Sequence, residues 1–558
     1  MSGRRRVAVV TGGGGGIGAA IAEELGRGGW HVVTVDPLVT LDGSERLPEP
    51  AETTAGRIVA AGGSARASAV SVTDGEALRT LFGELVEEHG GLDAVVNVAG
   101  ITRQTGFAHG TEQDWQAVLA VHLDGYRNVL DGALPLMAAA GYGRILGVTS
   151  GSGWRAADAG AYSCAKRAIA SLTWQLGRQV PAGVTVNAMS PIAATRMVAA
   201  AIERARQVVK AGGGGGGGGG LSLKGMPGPE DLGPLGAYLV SDGFGWCNGR
   251  VVFAGGSEVA VIDEPRLLEV VRSDDVVSLA RVLEAVLPRA FARAEAAQAT
   301  DGGGNPRFGP IFDEPAPAEV APTTVATCAV VSDDAATGAA VAGALAGRAV
   351  ACHHVELSHG FEDAGAALRG VASSAGPLDA VVVAPAGRRA AGGTPEGWER
   401  TLAEHAGIAH DIHTDAAWSR AAADYAAATG RPLRLVTLTE ATTAGGRSRA
   451  QASAQLARAA AGTTEGRVSA YAASLEAAAA GVAPAAAELV AQLLTHPEAG
   501  ALAGAELVVG AGWLGLRGHP RPVGAVTYGG PALPAWLDAT LREIAGVGTV
   551  RAGGSEAR

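Results

Sequence analysis

The chain has 558 residues, more than one ordinary hydrophobic core holds, so its length predicts roughly two to four domains. A net charge of −11 without a long basic run argues against a nucleic acid as the main partner. No apolar run approaches the roughly 20 residues of a transmembrane helix, and the four cysteines have neither disulfide nor metal-ligand spacing. We therefore expect a cytoplasmic protein with no membrane partner and no metal.

A strand, a glycine loop and a helical pattern follow one another at the start of the chain. RVAVV, residues 6–10, is typical of a short buried strand; TGGGGGIG covers Thr11–Gly18, and AAIAEELGRGG has helical spacing. Glycine backbone lets a pyrophosphate approach the positively polarised N-terminus of a helix. This order predicts a dinucleotide-phosphate site, although glycine runs also occur in flexible turns.

Asp36 ends the next strand, HVVTVD, and lies 18 residues after Gly18. Close to this spacing, a carboxylate accepts hydrogen bonds from an adenosine ribose and repels a 2′-phosphate. The sequence therefore favours NAD over NADP. The alternative is that Asp36 only caps a turn before Pro37.

Strands and helices continue to alternate as far as residue 191. The predicted strands are 64–74, 91–100, 144–150 and 184–191, and the predicted crossover helices are 75–90 and about 112–138. Alternation of this kind predicts an α/β fold with a doubly wound, Rossmann-like parallel sheet and right-handed crossovers.

The segment TSGSGWRAADAGAYSCAK, Thr149–Lys166, brings a hydroxyl, a phenol and an ammonium group together. Tyr162 and Lys166 are four residues apart and share a face of a helix. A nearby ammonium favours the phenolate, so we expect Lys166 to lower the pKa of Tyr162. Ser150 could then hold a substrate oxygen while Tyr162 exchanges a proton with it. The alternative is a surface pair without chemistry.

Taken together, these motifs make residues 6 to about 262 resemble the short-chain dehydrogenase/reductase family. The resemblance implies that Tyr162 donates or accepts the proton, that Lys166 binds the nicotinamide ribose and tunes Tyr162, and that Ser150 orients the reacting carbonyl or carbinol. It also implies further contacts with the cofactor. These candidates are Gly12, Gly16, Ile17 and Gly18 at the pyrophosphate, Asn97 on the adenosine side, Ile192 and Thr195 at the carboxamide, and Val72, Ala99 and Gly100.

His122 departs from the family pattern, because the family has an Asn at this place on the long helix. With AGITR, YGRI and the segment 249–266, it makes the chain similar to the (3R)-hydroxyacyl-CoA dehydrogenase units of multifunctional enzyme type 2 and to related bacterial 3-oxoacyl reductases. Two roles for His122 stay open. It either holds a water that relays protons to Lys166 or packs near a dimer interface.

The second half of the chain repeats the first without its chemistry. GGLDAVV at 90–96 recurs as GPLDAVV at 376–382, and the segment 255–266 has its counterpart at 510–521. Asp333 and Asp334 occupy the expected pyrophosphate position, Glu440 stands near the place of Ser150, and no lysine follows residue 224. The sequence therefore predicts a degenerate second copy of the fold.

We accordingly divide the chain into four segments. These are a catalytic domain at 1–262, a helical segment with a Pro/Gly-rich linker at 263–322, a degenerate domain at 323–521, and a C-terminal helix and tail at 522–558. Nine glycines, Gly212–Gly220, indicate a mobile or engineered loop. We expect the two halves to form an internal pseudo-dimer through the long helices beside the active site, with further homo-oligomerisation left open.

The resulting functional prediction is an NAD-dependent oxidoreductase that interconverts a secondary alcohol and a ketone. The subgroup resemblance implies a 3-hydroxyacyl or 3-oxoacyl thioester as substrate. A polyketide-like ketone or alcohol of a specialised pathway is an alternative. A non-catalytic scaffold that has kept its nucleotide affinity is an alternative of another class.

Overall fold

The structure, a computed structural model, describes residues 4–153, 158, 160–200, 203, 226–273, 275–298, 324–387, 396–530 and 532–546. The predicted loop Gly212–Gly220 and residues 300–322 of the predicted linker lie outside this set. Within it, no helix combines the length and the apolar character needed to cross a membrane.

Strands and helices alternate through both halves of the chain. The strands are β1 (Val7–Thr11), β2 (His31–Val35), β3 (Ser64–Ser68), β4 (Ala94–Asn97), β5 (Gly143–Val148), β6 (Val184–Pro191), β7 (Val251–Gly255), β8 (Glu258–Asp263), β9 (Leu267–Arg272), β10 (Thr327–Val331), β11 (Ala351–Val355), β12 (Ala380–Val383), β13 (Leu433–Glu440), β14 (Val468–Leu475), β15 (Glu506–Gly510), β16 (Trp513–Arg517) and β17 (Arg521–Thr527).

The helices connect successive strands and cover both faces of the sheets. They are α1 (Gly16–Arg27), α2 (Thr54–Ala60), α3 (Gly75–His89), α4 (Glu112–Leu119), α5 (Gly125–Ala140), α6 (Ala161–Leu176), α7 (Gly233–Leu239), α8 (Val276–Val286), α9 (Ala292–Ala296), α10 (Ala335–Ala346), α11 (Phe361–Ala375), α12 (Trp398–Glu404), α13 (Ile408–Thr429), α14 (Ala444–Thr463), α15 (Ala479–Thr495) and α16 (Leu537–Ile544).

The first sheet has nine strands in the order β17-β8-β7-β6-β5-β4-β1-β2-β3. The strands from β7 to β3 run parallel, whereas β8 pairs antiparallel with β7 and β17 pairs antiparallel with β8. The chain order reverses between β1 and β4, where the doubly wound fold places its ligand crevice beyond the carboxyl ends of the strands. The predicted fold class is confirmed.

The second sheet repeats this arrangement in the order β11-β10-β12-β13-β14-β15-β16-β9. Six parallel strands correspond to β2, β1, β4, β5, β6 and β7 of the first sheet. A counterpart of β3 is missing from the described residues, because only residues 356–360 separate β11 from α11.

The two halves exchange their last strands. β9 follows the first half in sequence but pairs with β16 in the second sheet, while β17 follows the second half and pairs with β8 in the first. The segment 266–295, which we expected to be helical, therefore begins with a strand, and the segment after 521 holds a strand before its helix. The antiparallel pairing satisfies backbone groups of β8 and β16 that would otherwise be exposed at a sheet edge.

The two halves also share one hydrophobic core along α6 and α14, which pack against each other. Alanine and serine recur along both helices, which lets the two backbones approach closely. Almost every residue of α6 is buried, because one face lies on the first sheet and the other on α14. The helix that carries Tyr162 and Lys166 is therefore fixed on both sides.

Candidate active site

The glycine loop lies between β1 and α1, as the sequence predicts. Gly12 has a φ of +66°, and a Cβ at this position would lie 2.9 Å from the Ala99 backbone nitrogen. A Cβ at Gly18 would collide with the Gly12 carbonyl oxygen. The N-cap residue of α1, Gly15, makes no side-chain cap hydrogen bond, and the first turn has no acidic residue. The first N–H groups of α1 are thus available to an anion such as a pyrophosphate.

Asp36 follows β2 and lies directly beside the glycine loop. Its carboxylate accepts hydrogen bonds from the backbone N–H groups of Gly14 (3.0 Å) and Leu38 (2.9 Å). The side chain is half-buried. The structure therefore places a fixed negative charge at the carboxyl end of β2, next to the loop, where the sequence predicts contact with an adenosine ribose.

Asn97 and its neighbours form the opposite wall at the end of β4. The Thr11 hydroxyl donates to Asn97 Oδ1 (2.7 Å) and accepts a hydrogen bond from the Ala99 N–H (3.3 Å). These bonds connect the end of β1 with the segment that contains Ala99 and Gly100. Thr11 is buried, and it is a contributor to the site that the glycine pattern alone did not identify.

Val72 is placed differently from the other cofactor candidates. Its side chain is buried, and a Cβ at Gly125 would lie only 2.7 Å from Val72 Cγ2. Its carbonyl oxygen accepts a hydrogen bond from the Asn128 side chain. The side chain of Val72 is therefore core packing against α5.

Tyr162 and Ser150 are brought together as predicted. Ser150 follows β5, Tyr162 is the second residue of α6, and the two side chains are hydrogen-bonded. The Ser152 hydroxyl also donates to Ser150 Oγ (3.2 Å). Gly160, immediately before α6, has a φ of +50°, and a Cβ there would collide with the Gly106 N–H group. Glycine is thus needed for α6 to begin where it presents Tyr162 to Ser150.

Lys166 lies one helical turn after Tyr162, with its Nζ 5.5 Å from the centroid of the phenol ring. Nζ donates to the Val148 carbonyl oxygen (2.7 Å), and the Thr149 hydroxyl donates to the Lys166 carbonyl oxygen (2.6 Å). These two bonds attach the end of β5 to α6, which fixes the relative positions of Ser150 and Lys166.

Burial controls the titration of this pair. It lowers the pKa of Lys166 to about 7 and raises the pKa of Tyr162, and the hydrogen bond from Ser150 opposes the latter shift. We expected Lys166 to lower the pKa of Tyr162. That expectation is wrong for this structure, because the low-dielectric surroundings penalise both the phenolate and the ammonium.

His122 packs against the same pair from a π-helical turn, Ala120–Asp124, that joins α4 to α5. Its ring lies perpendicular to that of Tyr162 with centroids 5.0 Å apart. Nε2 is 2.8 Å from the Ile101 carbonyl oxygen, whereas Nδ1 has no hydrogen-bond partner among the described residues. Burial and the nearby charge of Lys166 lower the pKa of His122 to about 3, so the ring is neutral.

Ile192 and Thr195 lie just after β6. Ile192 donates its N–H to the Ala254 carbonyl oxygen (2.8 Å) and is half-buried. The Thr195 methyl group lies 3.9 Å from a Cβ built at Gly16, so this segment faces the glycine loop. Arg196 also reaches the loop, with Nη2 3.7 Å from a Cβ built at Gly15. No motif in the sequence singles out Arg196, and only its position next to Thr195 could have drawn attention to it.

The corresponding place in the second half has a different structure. The β4–β5 register pairs Ala94 with Arg144, and the β12–β13 register pairs Ala380 with Arg434. Six residues further on, Glu440 therefore stands in the position of Ser150. The carboxylate of Glu440 accepts a hydrogen bond from the Thr442 hydroxyl (2.8 Å) and lies against Gly387.

Counted from the first residue of each helix, α14 has a glycine and an arginine where α6 has Tyr162 and Lys166. Gly445 is its second residue, and a Cβ there would collide with the Glu404 carbonyl oxygen. Arg449 is its sixth residue and forms a buried ion pair with Asp415, with N–O distances of 2.6 and 3.0 Å. A phenol therefore does not fit in this place, and the cation is already paired.

The N-terminus of α10, which corresponds to that of α1, is closed by the chain's own carboxylate. Asp334 is the N-cap, and its side chain accepts hydrogen bonds from Ala336 N (3.1 Å) and Thr337 Oγ1 (2.6 Å). Asp333 accepts a hydrogen bond from Ala386 N. Both carboxylates thus lie where a pyrophosphate would have to bind, and one of them already satisfies the helix end.

Comparisons with known proteins agree with this geometry. The family described as short chain dehydrogenase matches residues 6–206. The acetoacetyl-CoA reductase of Cupriavidus necator is 32% identical over 248 residues, covering 44% of this chain and 94% of that protein. The peroxisomal hydratase-dehydrogenase-epimerase of Saccharomyces cerevisiae is 34% identical over 200 residues, covering 35% of this chain and 22% of that longer protein.

A solved structure extends the similarity to both halves. The crystal structure of the N-domain, with NADP, of a bacterial malonyl-CoA reductase has a TM-score of 0.64 and 16% sequence identity, and the match covers 88% of this chain and 95% of that one. At this identity the similarity concerns the fold, and it confirms two tandem Rossmann-like units. Together with the relatives at 32% and 34% identity, it confirms the resemblance predicted from the motifs. The chain therefore belongs to the short-chain dehydrogenase/reductase family of NAD(P)-dependent oxidoreductases.

Proposed function

We propose that the first half interconverts a secondary alcohol and a ketone on a 3-hydroxyacyl or 3-oxoacyl thioester, with NAD as its redox partner. The observation that supports this reaction type most is the hydrogen bond between Tyr162 and Ser150 one helical turn from the buried Lys166. The thioester class is supported by the relative named for acetoacetyl-CoA reduction, of which the chain covers 94%.

The residues around the glycine loop fit a dinucleotide. Gly12 and Gly18 let the loop backbone pack closely, and a Cβ built at Gly15 or Gly16 has no neighbour nearer than 3.7 Å. The N-terminus of α1 offers N–H groups without a competing side chain. The dinucleotide, when bound, supplies or accepts the hydride at its nicotinamide ring. We assign the pyrophosphate side to Gly12, Gly16, Ile17 and Gly18, and the carboxamide side to Ile192 and Thr195.

Ser150 and Tyr162 hold the substrate oxygen and manage its proton. A hydroxyl and a phenol at this spacing both donate to a carbonyl oxygen, so they stabilise the negative charge that develops during reduction. The raised pKa of Tyr162 keeps it protonated and ready to donate. In the oxidation direction Tyr162 first passes its own proton towards Lys166 and then takes the proton of the carbinol.

Lys166 and His122 connect Tyr162 to further proton carriers. A pKa of about 7 lets the Lys166 amine take up or release a proton near neutral pH. Nε2 of His122 lies 2.8 Å from the Ile101 carbonyl oxygen and 3.3 Å from the Ile101 N–H nitrogen. We assign the imidazole proton to Nε2 on the shorter contact, which leaves Nδ1 as an acceptor. We assign to His122 the placement of the water that exchanges protons with Lys166.

The preference for NAD follows from Asp36. Its fixed carboxylate beside Gly14 would repel a 2′-phosphate and accept hydrogen bonds from a ribose diol. Fluorescence titration with NADH and NADPH tests this assignment. We expect NADH to bind at least about tenfold more tightly, since each 1.4 kcal/mol is a factor of ten. Tighter binding of NADPH would overturn the assignment.

A substrate panel tests the thioester. Initial rates in both directions should be measured on 3-oxoacyl and 3-hydroxyacyl thioesters of coenzyme A and of an acyl carrier protein, and on aromatic ketones that lack a thioester. We expect the highest kcat/KM on a thioester. The highest kcat/KM on a free aromatic ketone would instead support the specialised-pathway alternative.

The second half has a different role in our proposal: it binds no nicotinamide dinucleotide and performs no redox chemistry. Support comes from Asp334 at the helix end, from the ion pair of Arg449, and from the lack of space at Gly445. We propose that it takes the place of a second subunit, so that the chain is an internal pseudo-dimer of a catalytic and a degenerate domain.

The dependence of activity on protein concentration tests the pseudo-dimer. We expect the specific activity to stay constant on dilution to concentrations at which light scattering shows a single chain. A loss of activity that follows dissociation of a larger assembly would show that the site needs a second chain.

A further inference from the structure

We propose that the second half also positions the active-site loop of the first, through Gln455 and Thr463 on α14. This inference rests on the proposed function, because it concerns the same Ser150–Tyr162 pair. The second half would thus contribute to the reaction although, in our proposal, it binds no dinucleotide itself.

The loop in question connects the two reacting groups. Ser150 precedes it, Tyr162 follows it, and Ser152, Asp158 and Gly160 are among its described residues. The separation of Ser150 from Tyr162 depends on where this loop lies, because the two residues belong to different elements, the end of β5 and the start of α6.

Helix α14 contacts this loop near both of its ends. The Gln455 side-chain amide donates to the Ser152 carbonyl oxygen (3.1 Å). The Thr463 hydroxyl shares its single proton between Asp158 Oδ2 (3.0 Å) and the Ala459 carbonyl oxygen (2.8 Å). The two residues are eight positions apart on one helix, about 12 Å along its axis. A single rigid element of the second half thus spans the loop.

One contact leads directly to a catalytic group, and the other leads to the segment that supports the start of α6. Ser152, which Gln455 holds by its carbonyl oxygen, donates its own hydroxyl to Ser150 Oγ (3.2 Å). Asp158, which Thr463 holds by one carboxylate oxygen, accepts the Phe107 N–H with the other (2.8 Å).

The segment containing Phe107 is in turn attached to the start of α6. The Thr105 hydroxyl accepts a hydrogen bond from the Ala161 N–H (3.2 Å), and the Gly160 backbone packs on Gly106. Tyr162 is the next residue after Ala161. A shift of Asp158 is therefore transmitted to the helix start that presents Tyr162.

The packing of α6 on α14 makes this support rigid. Cys164 Sγ lies 3.6 Å from the Ala452 carbonyl oxygen. The buried guanidinium of Arg167 donates to Gln451 and Gln455, and it pairs with Glu506 at 3.4 Å. Gln455 and Thr463 are thus held on a helix that cannot move independently of α6, which is the condition for positioning residues to act.

The test is the isosteric substitution Thr463→Val, compared with Thr463→Ser and Thr495→Val. Thr463 and Thr495 are each the last residue of a helix, and both donate to the carbonyl oxygen four residues earlier, so Thr495→Val removes the same local bond away from the loop. We expect Thr463→Val to lower kcat about three- to tenfold, as the loss of one hydrogen bond predicts. Thr463→Ser should retain wild-type kcat, and Thr495→Val should leave kcat unchanged.

The pH profile of kcat separates positioning from a general loss of stability. If the loop loosens, the hydrogen bond from Ser150 that opposes the rise in the pKa of Tyr162 weakens, and the profile of Thr463→Val moves to higher pH. Gln455→Met, which removes the amide donor, should move the profile in the same direction. The cofactor Kd should stay within about twofold, because neither residue contacts the glycine loop.

Two results would overturn the inference. One is an unchanged kcat and pH profile in Thr463→Val and Gln455→Met. The other is an equal fall in Tm for Thr463→Val and Thr495→Val with unchanged kcat per folded molecule. If Tyr162→Phe abolishes turnover but Thr463→Val leaves it unchanged, only this inference is wrong. If turnover survives Tyr162→Phe, the proposed function itself is wrong.

Discussion

The ends of β5 and β13 occupy equivalent positions in two copies of one fold, yet the residues around them differ in chemical character. At the end of β5, Ser150 meets Tyr162 and Lys166 beside an uncapped glycine loop. At the end of β13, Glu440 faces a helix whose second residue is glycine and whose cation is paired with Asp415. The fold therefore supplies the crevice, and a few residues decide whether the crevice can bind a dinucleotide and transfer a proton.

The comparison also shows what decides whether a buried cationic side chain can exchange its proton. Lys166 is buried with no carboxylate partner among the described residues, so its pKa falls to about 7 and its proton can be exchanged near neutral pH. Arg449 is equally buried but fully paired, and an arginine does not lose its proton in proteins. Burying Lys166 without a counter-ion lowers the free energy of unfolding, which fits the role in proton exchange that we propose for it. The ion pair of Arg449 with Asp415 instead serves to stabilise the fold.

The largest expected effect comes from Tyr162→Phe. Removing the phenol that we propose exchanges a proton with the substrate oxygen should lower kcat at least about a thousandfold, within the range for general acid–base catalysis. Initial rates followed by nicotinamide absorbance provide the measurement. Tyr126→Phe is the control, because Tyr126 is buried on α5 with only a 3.5 Å contact to Thr173, and its turnover should stay near wild type. Unchanged turnover in Tyr162→Phe would favour the scaffold alternative.

The next largest effect concerns stability and the second half. Arg449→Met leaves the buried Asp415 carboxylate without its cation, which should cost about 3 kcal/mol or more in the free energy of unfolding. Urea unfolding measures the loss. The double variant Arg449→Met with Asp415→Asn should regain much of it, because no uncompensated charge remains. A loss of activity without a loss of stability in the single variant would contradict a purely structural role for the pair.

A smaller effect is expected in the pH dependence of stability. Lys166 has a pKa of about 7 in the folded chain against an ordinary value of 10.5, so in this window the unfolded chain holds a proton that the folded chain has lost. The free energy of unfolding should therefore rise with pH above about 7, by about 1 kcal/mol per pH unit for this group. Lys166→Met should show a correspondingly smaller slope in urea unfolding between about pH 7 and pH 9. Identical slopes would mean that Lys166 is not buried as described.

The smallest effect is expected from Glu440→Ser, which restores the hydroxyl of the first site to the second. Because Gly445 leaves no space for a phenol, we expect kcat/KM to change less than about twofold and Tyr162→Phe to stay inactive in this background. Ser150→Ala, the matched change in the first half, should lower kcat about a hundredfold. A gain of turnover in Glu440→Ser would show that the second site retains catalytic capacity.

Local patterns predicted much of this molecule, because their physical causes are local. The strand–glycine–helix order identified the cradle at Gly12–Gly18, and the spacing of Tyr162 and Lys166 identified a shared helix face. The second copy was visible from repeated segments and from the missing lysines. The proposed lack of redox chemistry in the second half could be anticipated from Asp333, Asp334 and Glu440, because a carboxylate repels a pyrophosphate.

What could not be predicted depends on contacts between residues far apart in sequence. LLEVVR at 267–272 was expected to be helical, since nothing in the segment itself reveals that β16, some 245 residues later, completes its pairing. The raised pKa of Tyr162 was missed because it is set by burial, which the spacing to Lys166 does not report. The contact of Thr463 with Asp158 spans 305 positions and is visible only when both halves are in place.

The stoichiometry of cofactor binding tests the central contrast most directly. Calorimetric titration of the full chain with NADH counts the dinucleotide sites on two units of one fold. We predict one NADH site per chain. A bulky substitution at Gly12 should abolish this site, and Asp334→Ala should leave it unaffected. Two sites per chain, or one site that depends on the second half alone, would contradict this prediction.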